Sequence, residues 1–318
     1  MILIKPNYFK NKRFFNLFLI IIIISFIFTF NLVVIEGVQQ GFASYIGQSK
    51  DVVVIYNRAS STPFTSYIPY YLSYNLSKIP GIIAVSPEIL TPVLINNKPI
   101  FIRGIIPSYF IQVSNFKLLE GNNLSNDLPL AAIIGIQAEK ILNIRIGQWI
   151  TIVSAILGSV ADLKVVGIFE TQSPMDSEIF VNLNIAQTII SIGKDFVNFI
   201  RVKINPLQTN EYKIYSDLGI IVESSKTNQN NLPISSISPS VTNFNPNLLG
   251  ISSPNDAINY YLSKYGFNFS SLIVVASILL LIMSVGIFVT SRVIISDNRK
   301  EIDLIKAIGV TEKKLLST

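Results

Sequence analysis

The sequence predicts an α+β domain between two transmembrane α-helices. Two apolar runs without charged residues, residues 14–35 and 266–291, enclose a long segment of mixed polar and apolar composition. A helix needs about 20 apolar residues to cross the hydrocarbon core of a bilayer, and each run is long enough. Between the runs, short β-rich stretches alternate with short helical patterns, which is typical of a compact domain of mixed structure.

The first apolar run follows a basic N-terminal segment, residues 1–13. The centre of the run is similar to a signal-peptide core, but the run continues to residue 35 without a small-residue cleavage site. We therefore interpret it as an uncleaved anchor. Basic residues also follow the second run, in residues 292–318, and positive flanks stay in the cytoplasm. The sequence thus predicts a multi-pass protein of the cell membrane with cytoplasmic termini and a large extracytoplasmic domain.

The composition agrees with a membrane location. Mean hydropathy is +0.50, only 14% of the residues are charged, and the net charge of +6 is concentrated in the two basic flanks. This balance reflects topology and does not indicate a nucleic-acid partner. Cysteine and histidine are both absent, which excludes disulfides, histidine-based triads and Cys/His metal sites. The outer domain is therefore expected to fold around an apolar core alone.

The elements of the predicted outer domain, residues 36–223, begin near residue 51. Runs of β-branched and aromatic residues predict strands, and periodic apolar positions predict helices. Residues 96–99 predict a hairpin turn, because asparagine tolerates a positive φ. The predicted strands and apolar runs are residues 52–56, 82–85, 93–95, 100–102, 130–134, 149–153, 163–169, 179–181 and 199–204, and the predicted helices are residues 70–79, 137–142 and 185–192.

Residues 224–265 differ in composition from the segments around them. Serine, asparagine, proline and threonine dominate, and Pro233, Pro239, Pro246 and Pro254 are each expected to interrupt a regular element. We interpret these residues as an irregular linker that returns the chain to the membrane.

Three N-x-[ST] sequons, at Asn75, Asn123 and Asn268, fall in the predicted outer region. Sequons on exported segments are N-glycosylated where the machinery exists. They also arise by chance in chains rich in asparagine and serine, so these three are candidate sites only.

The outer domain offers few patterns that catalysis would need. It has no G-x-x-x-x-G-K-[ST] phosphate loop, and its serines form no recognisable hydrolase motif. Glu170, Asp176 and Glu178 could together bind a hard cation such as Ca²⁺, although a solvated acidic loop is the favoured interpretation. Trp149 could stack on a ligand, but its apolar neighbours favour a core position. We predict no enzyme activity and no cofactor.

The segment that follows the second run contains an amphipathic helical pattern at residues 299–309. Charged residues of opposite sign share one face at i,i+3 and i,i+4 spacing, and three isoleucines form a different stripe. Gly309 is placed to end the helix. Such a helix suits the lipid headgroup surface or a groove in a soluble partner, and the pattern alone favours neither.

Residues 299–311 resemble a motif of the FtsX/MacB-type permease subunits of ABC transporters, close to R-x-E-I-x-L-x-K-A-[IL]-G-[AV]-[ST], which follows the second span in that family. The outer segment is also similar to the MacB-like periplasmic core domain of the same family. The pieces that carry this second likeness are R-G-I at 103–105, L-E-G at 119–121, I-G-Q at 146–148, and V-V-G-I-F at 165–169 followed by Asp176.

The resemblance implies a permease that couples ATP hydrolysis by a separate cytosolic ABC ATPase to export or extraction of a substrate through movement of its outer domain. It also implies a second permease chain, as in a dimer. The family has two more spans after the motif, whereas this chain stops at Thr318. We therefore expect a fragment, a truncated gene product or half of a split permease, whose missing spans would come from another chain. The residues implied to contact the ATPase are Arg299, Glu301, Ile302, Leu304, Ile305, Lys306, Ala307 and Gly309.

Two other classes of function stay open from the residues alone. A two-span cell-surface receptor or adhesion protein would use the outer domain to bind a ligand and the tail as an anchor. A membrane-anchored hydrolase would need Ser/Lys or paired carboxylate chemistry in that domain.

Overall fold

The computed structural model describes residues 12–47, 49, 51–125, 127–155, 157–220, 245–265, 269–297 and 299. The chain forms two compact units, one of Met1–Val38 with Gly266–Thr318, and one of Gln39–Tyr265. The first unit contains most of helix α1 (Lys12–Ile46) and all of helix α8 (Phe269–Asp297). Within the described residues, no helix combines the length and apolarity needed to cross a membrane.

The second unit contains the predicted outer domain. Its strands are β1 (Val52–Asn57), β2 (Ile68–Pro69), β3 (Ile82–Ile95), β4 (Lys98–Ile105), β5 (Lys117–Gly121), β6 (Ala131–Gly135), β7 (Trp149–Ser154), β8 (Val160–Glu170), β9 (Glu178–Asn182), β10 (Phe196–Val197), β11 (Phe199–Ile204) and β12 (Leu249–Ser252). Its helices are α2 (Tyr71–Leu76), α3 (Pro107–Val113), α4 (Ile136–Leu142), α5 (Leu183–Ile189), α6 (Glu211–Asp217) and α7 (Pro254–Lys264), with short 3-10 turns at Pro63–Thr65, Pro174–Ser177 and Pro246–Leu248.

One mixed sheet organises this unit. Its strand order is β12-β1-β11-β3-β4-β9-β6-β8-β5, with β7 paired to both β3 and β8, and β2 and β10 form a separate small pair. The β4–β9 and β6–β8 pairs are parallel and the other pairs are antiparallel. The predicted α+β class of the domain is confirmed.

The hairpin between β3 and β4 is confirmed with a shorter turn than predicted. Asn96 and Asn97 have φ values of 50° and 62°, in the left-handed region that a two-residue turn requires. Lys98 already pairs with Ile95 as the first residue of β4. Asparagine is one of the few residues apart from glycine that adopt this conformation readily.

Strand β3 is a single element, whereas the sequence predicted two separate strands at 82–85 and 93–95. Its first half pairs with β11 and its second half pairs with β4. Pro87 and Pro92 lie inside it. A proline lacks the N–H that a strand with neighbours on both sides would need. Pro87 lies where β3 pairs with β11 alone, and Pro92 lies just before Val93 and Leu94, where β3 pairs with both β4 and β7. Both prolines therefore fit, and the two apolar runs become one strand.

The expectation of an irregular segment is wrong for residues 245–265. Strand β12 extends the sheet by pairing with β1, and α7 follows with Pro254 as its first residue. A proline there loses no helical hydrogen bond, and the Ser253 side chain caps the helix by accepting from the Asp256 N–H, at 3.2 Å. Residues 224–244 of the predicted linker lie outside the described residues.

An aromatic cluster attaches α7 to the sheet. Tyr56 of β1 is buried, and its ring centroid lies 5.3 Å from that of Tyr261 and 6.1 Å from that of Tyr260. Burial raises the pKa of Tyr56 to about 12 from its ordinary value of 10.0. Between about pH 10 and pH 12, the Tyr56 hydroxyl therefore stays protonated in the folded protein but loses its proton in the unfolded chain.

This pKa predicts a loss of stability in alkali. Because the pKa of Tyr56 is higher in the folded than in the unfolded protein, its contribution to the free energy of unfolding is fully present below pH 10. That contribution is lost as the pH rises from 10 towards 12. The two-unit difference corresponds to about 2–3 kcal/mol. Denaturant unfolding followed by circular dichroism from pH 8 to 12 should show this decline, and Tyr56→Phe should reduce it. Tyr212→Phe, at a site that is 75% exposed, is the control, and an equal effect of the two variants would contradict the assignment.

Candidate functional site

Four charged side chains are buried together in the sheet, and we call Glu88, Arg103, Glu178 and Arg201 the charge cluster. They come from β3, β4, β9 and β11, which are neighbours in the order β11-β3-β4-β9. Each side chain is at most 2% exposed. Charged residues are rarely buried this deeply unless they are paired. The core of the domain is therefore not apolar alone, in contrast to the expectation from composition.

The strand register brings these charges to one face of the sheet. Arg103 lies opposite Leu90 in β3 and opposite Phe180 in β9. Glu88 and Glu178 each precede one of these partners by two residues, and alternate residues of a strand point to the same face. Both carboxylates therefore reach the guanidinium from neighbouring strands.

Short charge-assisted hydrogen bonds connect the cluster. Arg103 donates from Nε and Nη2 to the two carboxylate oxygens of Glu178, at 2.6 and 2.7 Å, and from Nη1 to Glu88, at 2.6 Å. Arg201 Nε donates to the other oxygen of Glu88 at 2.6 Å, and the hydroxyl of Ser86 donates to that same oxygen at 2.8 Å. The bidentate Arg103–Glu178 contact fixes the plane of the guanidinium as well as its position.

Burial and pairing act in opposite directions on these groups. Burial alone would lower the pKa of Arg103, but the carboxylates of Glu178 and Glu88 together raise it above its ordinary value. Burial lowers the pKa of Arg201 by more than Glu88 restores. Guanidinium groups nevertheless stay charged in proteins. Because two cations face two carboxylates, the cluster is balanced overall.

The charge cluster also holds the end of helix α1. Arg103 Nη2 donates to the backbone carbonyl of Tyr45, at 2.7 Å. The last carbonyls of a helix have no partner within the helix, and a cation at that end interacts favourably with the helix dipole. Ala43 and Ile46 are buried nearby in an apolar cluster that includes Phe199. The final turn of α1 is thus fixed to the sheet by one buried guanidinium and by apolar packing.

Family comparisons agree with the motif pattern. The MacB-like periplasmic core domain family matches residues 14–211, more than half of the chain. The FtsX-like permease C-terminal family matches residues 273–318. The chain belongs to the FtsX/MacB-type permease family.

Two solved structures are similar to parts of this chain at low sequence identity. The periplasmic region of MacB from Actinobacillus actinomycetemcomitans is 17% identical, with 65% of this chain and 90% of that chain covered and a TM-score of 0.41. The extracellular domain of the noncanonic ABC-type transporter YknZ from Gram-positive bacteria is 15% identical, with coverage of 52% and 88% and a TM-score of 0.38. Among curated proteins, no match is found.

Two of the motif pieces that this chain shares with the family have a structural explanation. A Cβ atom on Gly104 would lie 2.3 Å from the Cβ of Ala186, so α5 packs directly on the backbone of β4. Gly121 has a φ of +80°, and a Cβ atom there would lie 2.3 Å from the carbonyl oxygen of Val166. Both positions need glycine because another chain segment occupies the space of a side chain.

The predicted acidic loop is neither solvated nor arranged as a cation site. Glu178 is buried and paired with Arg103. Asp176 is buried and accepts from the Thr171 hydroxyl at 2.7 Å, and Glu170 is half-buried at the end of β8. In the described part of the chain, no cluster of three or more acidic, histidine or cysteine side chains could hold a metal ion. Proximity in sequence did not bring these carboxylates together, because strand pairing separates them.

The predicted core position of Trp149 is wrong. Its side chain is 62% exposed, whereas Ile150 and Ile152 of the same strand are buried. Since side chains alternate between the two faces of a strand, Trp149 points away from the core that Ile150 and Ile152 join. An apolar neighbour in sequence is therefore a poor guide to burial in a strand.

The remaining predicted site residues stay predictions. Asn75 is exposed on α2, and Asn123 is half-buried, with its side-chain oxygen accepting from the Leu124 N–H at 2.8 Å. Arg299 is helical and exposed. The structure does not describe Asn268, or Glu301, Ile302, Leu304, Ile305, Lys306, Ala307 and Gly309 of the predicted ATPase contact.

Sequence patterns did not identify Glu88, Arg103 and Arg201 as members of a buried charge cluster, although Arg103 lies in the R-G-I piece of the family motif. Two of them stand as single charges inside apolar strands, in I-F-I-R-G-I and F-I-R-V. A lone charge in a run that is otherwise apolar indicates a buried residue with a partner of opposite sign. That pattern could have identified the arginines, but not which carboxylates they meet.

Proposed function

We propose that this protein is the permease subunit of an ABC transporter, in which a separate cytosolic ATPase supplies the energy and this chain transmits motion to its outer domain. The observation that carries the proposal is the order of two family matches on one chain, the periplasmic core domain followed by the permease segment. A subunit that transmits force needs no catalytic residue of its own. The proposal therefore includes neither enzyme activity nor a cofactor.

The proposed topology rests on the sequence. Residues 14–35 and 266–291 cross the membrane, both termini lie in the cytoplasm, and Gln39–Tyr265 forms the outer domain. Support comes from the length of the two uncharged runs and from the basic residues that flank them.

The proposed contact with the ATPase lies in the coupling segment, residues 299–309. Its isoleucine stripe suits a groove on a soluble partner, and its charged face suits steering and register. Nucleotide-driven movement of the partner would pull on this segment and displace the chain. The result is export or extraction of a substrate, with a second permease chain completing the dimer.

The charge cluster supplies a mechanical link in this proposal. Motion that reaches the last turn of α1 passes to β4 through the Arg103 contact with the Tyr45 carbonyl. Close-packed interiors deform little and transmit strain. A buried, multiply bonded attachment therefore transfers displacement that a solvated connection would absorb.

A pulldown tests the partner and the contact together. The tagged full chain is solubilised in detergent from its native membrane, and captured proteins are identified by mass spectrometry. We expect a P-loop ATPase with the intact chain, and a loss of at least tenfold with the Glu301→Arg, Ile305→Glu double variant, because it reverses one charge and places another in the apolar stripe.

The matched control is the Glu120→Arg, Leu207→Glu double variant. It makes the same changes of charge at positions that are exposed in the outer domain, so it should retain the ATPase. Failure of the intact chain to capture any ATPase, together with capture of outer-face partners by all forms, would instead favour the receptor or adhesion function.

A further inference from the structure

A small cleft opens beside the charge cluster, between the end of α3 and strand β11. Its volume is about 90 Å³, and its polar lining includes Ser114, Asn115, Thr171, Arg201 and Lys203. Among the described residues of the lining, two side chains are cationic and none is a carboxylate. All of its residues belong to the second unit.

Arg201 brings unused hydrogen-bond donors to this cleft. Its side chain is 2% exposed, and a guanidinium carries five N–H donors. Among the described contacts, only Nε donates a hydrogen bond, to Glu88. Nη2 forms an ion pair with the same oxygen at 2.5 Å, but its N–H groups are not directed at that oxygen and have no hydrogen-bond acceptor among the described residues. The guanidinium carbon lies 4.9 Å from the centroid of the Phe110 ring. The ring packs against the guanidinium but is not a conventional hydrogen-bond acceptor for its N–H groups.

Two other side chains in the lining have free hydrogen-bonding capacity. The Ser114 hydroxyl is buried without a hydrogen-bond partner in the described part of the protein. Lys203 is half-buried and takes part in none of the described ion pairs. Buried polar groups are almost always satisfied by protein, water or an ion. A ligand that accepts from several donors at once would meet this requirement.

The nearby carboxylates are engaged elsewhere. Asp51 accepts a hydrogen bond from the Ser49 hydroxyl, Asp176 accepts from Thr171, and Glu88 accepts from both arginines of the cluster. None of these carboxylates lines the cleft. An anion that enters the cleft would therefore contact cationic and hydroxyl side chains and not carboxylates.

We propose that this cleft binds a small oxyanion, either a phosphate group or a carboxylate, held by Arg201, Lys203 and Ser114. Arginine is well suited to both groups because its planar donors match two oxygens at once. A volume of about 90 Å³ admits a single anionic group and not a large molecule. The proposal is independent of ATPase binding, because it concerns the outer domain alone.

The test titrates the purified full chain in detergent with inorganic phosphate or with acetate, against chloride at matched ionic strength. We expect a saturable rise in the thermal midpoint, with the tighter probe identifying the class of anion. Lys203→Gln should weaken the apparent affinity about tenfold or more, because it removes one charged donor. Ser114→Ala removes a neutral donor and should weaken it severalfold.

Lys164→Gln is the control, because this lysine is exposed on β8 and does not line the cleft. It should bind the probe as the unaltered chain does. The proposal is overturned if neither probe stabilises the protein saturably, or if both cleft variants bind as tightly as the control. Either result would mean that the cleft holds water only.

Discussion

Arg103→Met is expected to destabilise the domain of residues 39–265 by about 3–5 kcal/mol. The substitution removes the common partner of Glu88 and Glu178 and leaves buried carboxylate charge without sufficient compensation. It also leaves the Tyr45 carbonyl without its donor. Methionine preserves much of the volume, so the effect would come from the lost charge and hydrogen bonds. Denaturant unfolding of the full chain in detergent, followed by circular dichroism, measures the change.

Arg145→Met is the matched control for this prediction. Arg145 is exposed, and a surface substitution away from special features usually changes stability by less than about 0.5 kcal/mol. Tryptophan fluorescence would be a poor readout, since Trp149 is 62% exposed. An unfolding midpoint for Arg103→Met close to that of Arg145→Met would show that the charge cluster does not stabilise the domain.

Gly104→Ala is expected to cost about 1–3 kcal/mol through overpacking. The new Cβ atom would lie 2.3 Å from the Cβ of Ala186, so α5 would have to move away from β4. Adding Ala186→Gly removes that contact, and the next nearest atoms, in Leu183 and Ile89, lie 3.4 and 3.5 Å away. The double variant should therefore be more stable than the sum of the two single effects predicts.

The double-mutant cycle tests the cause of the loss directly. Ala186→Gly alone should cost about 0.5–1 kcal/mol for glycine within a helix, in addition to any loss of packing. Residues in contact show interaction energies of about 0.5–3 kcal/mol, and here the sign should favour the double variant. Strictly additive effects would mean that the close approach of α5 to β4 does not limit residue 104.

Local sequence patterns located most elements of the domain. The run at 52–56 became β1, and the pattern at 137–142 became α4, because backbone preference and apolar periodicity act over a few residues. The segments that escaped prediction, such as β5 and β12, lie at the two ends of the sheet order. Edge strands need only one neighbour, so their sequences carry a weaker pattern.

The charge cluster could not be read from local pattern in the same way. Arg201 and Glu88 are 113 residues apart, and Arg103 and Glu178 are 75 residues apart. Nothing within either neighbourhood specifies the other partner. Their meeting depends on the strand order β11-β3-β4-β9, which places two distant strands, β11 and β9, on either side of the β3–β4 hairpin.

The amino-acid sequence by itself determined the family, the α+β character of the domain and the Asn96-Asn97 turn, because each depends on residues that are close along the chain. The tertiary structure alone decided that Glu178 is buried and paired, that Trp149 faces outward, and that Arg201 lines a cleft. Burial and pairing of a side chain depend on which strands become neighbours and on the face that each residue occupies. These are properties of long-range register, and a shift of one residue would reverse them.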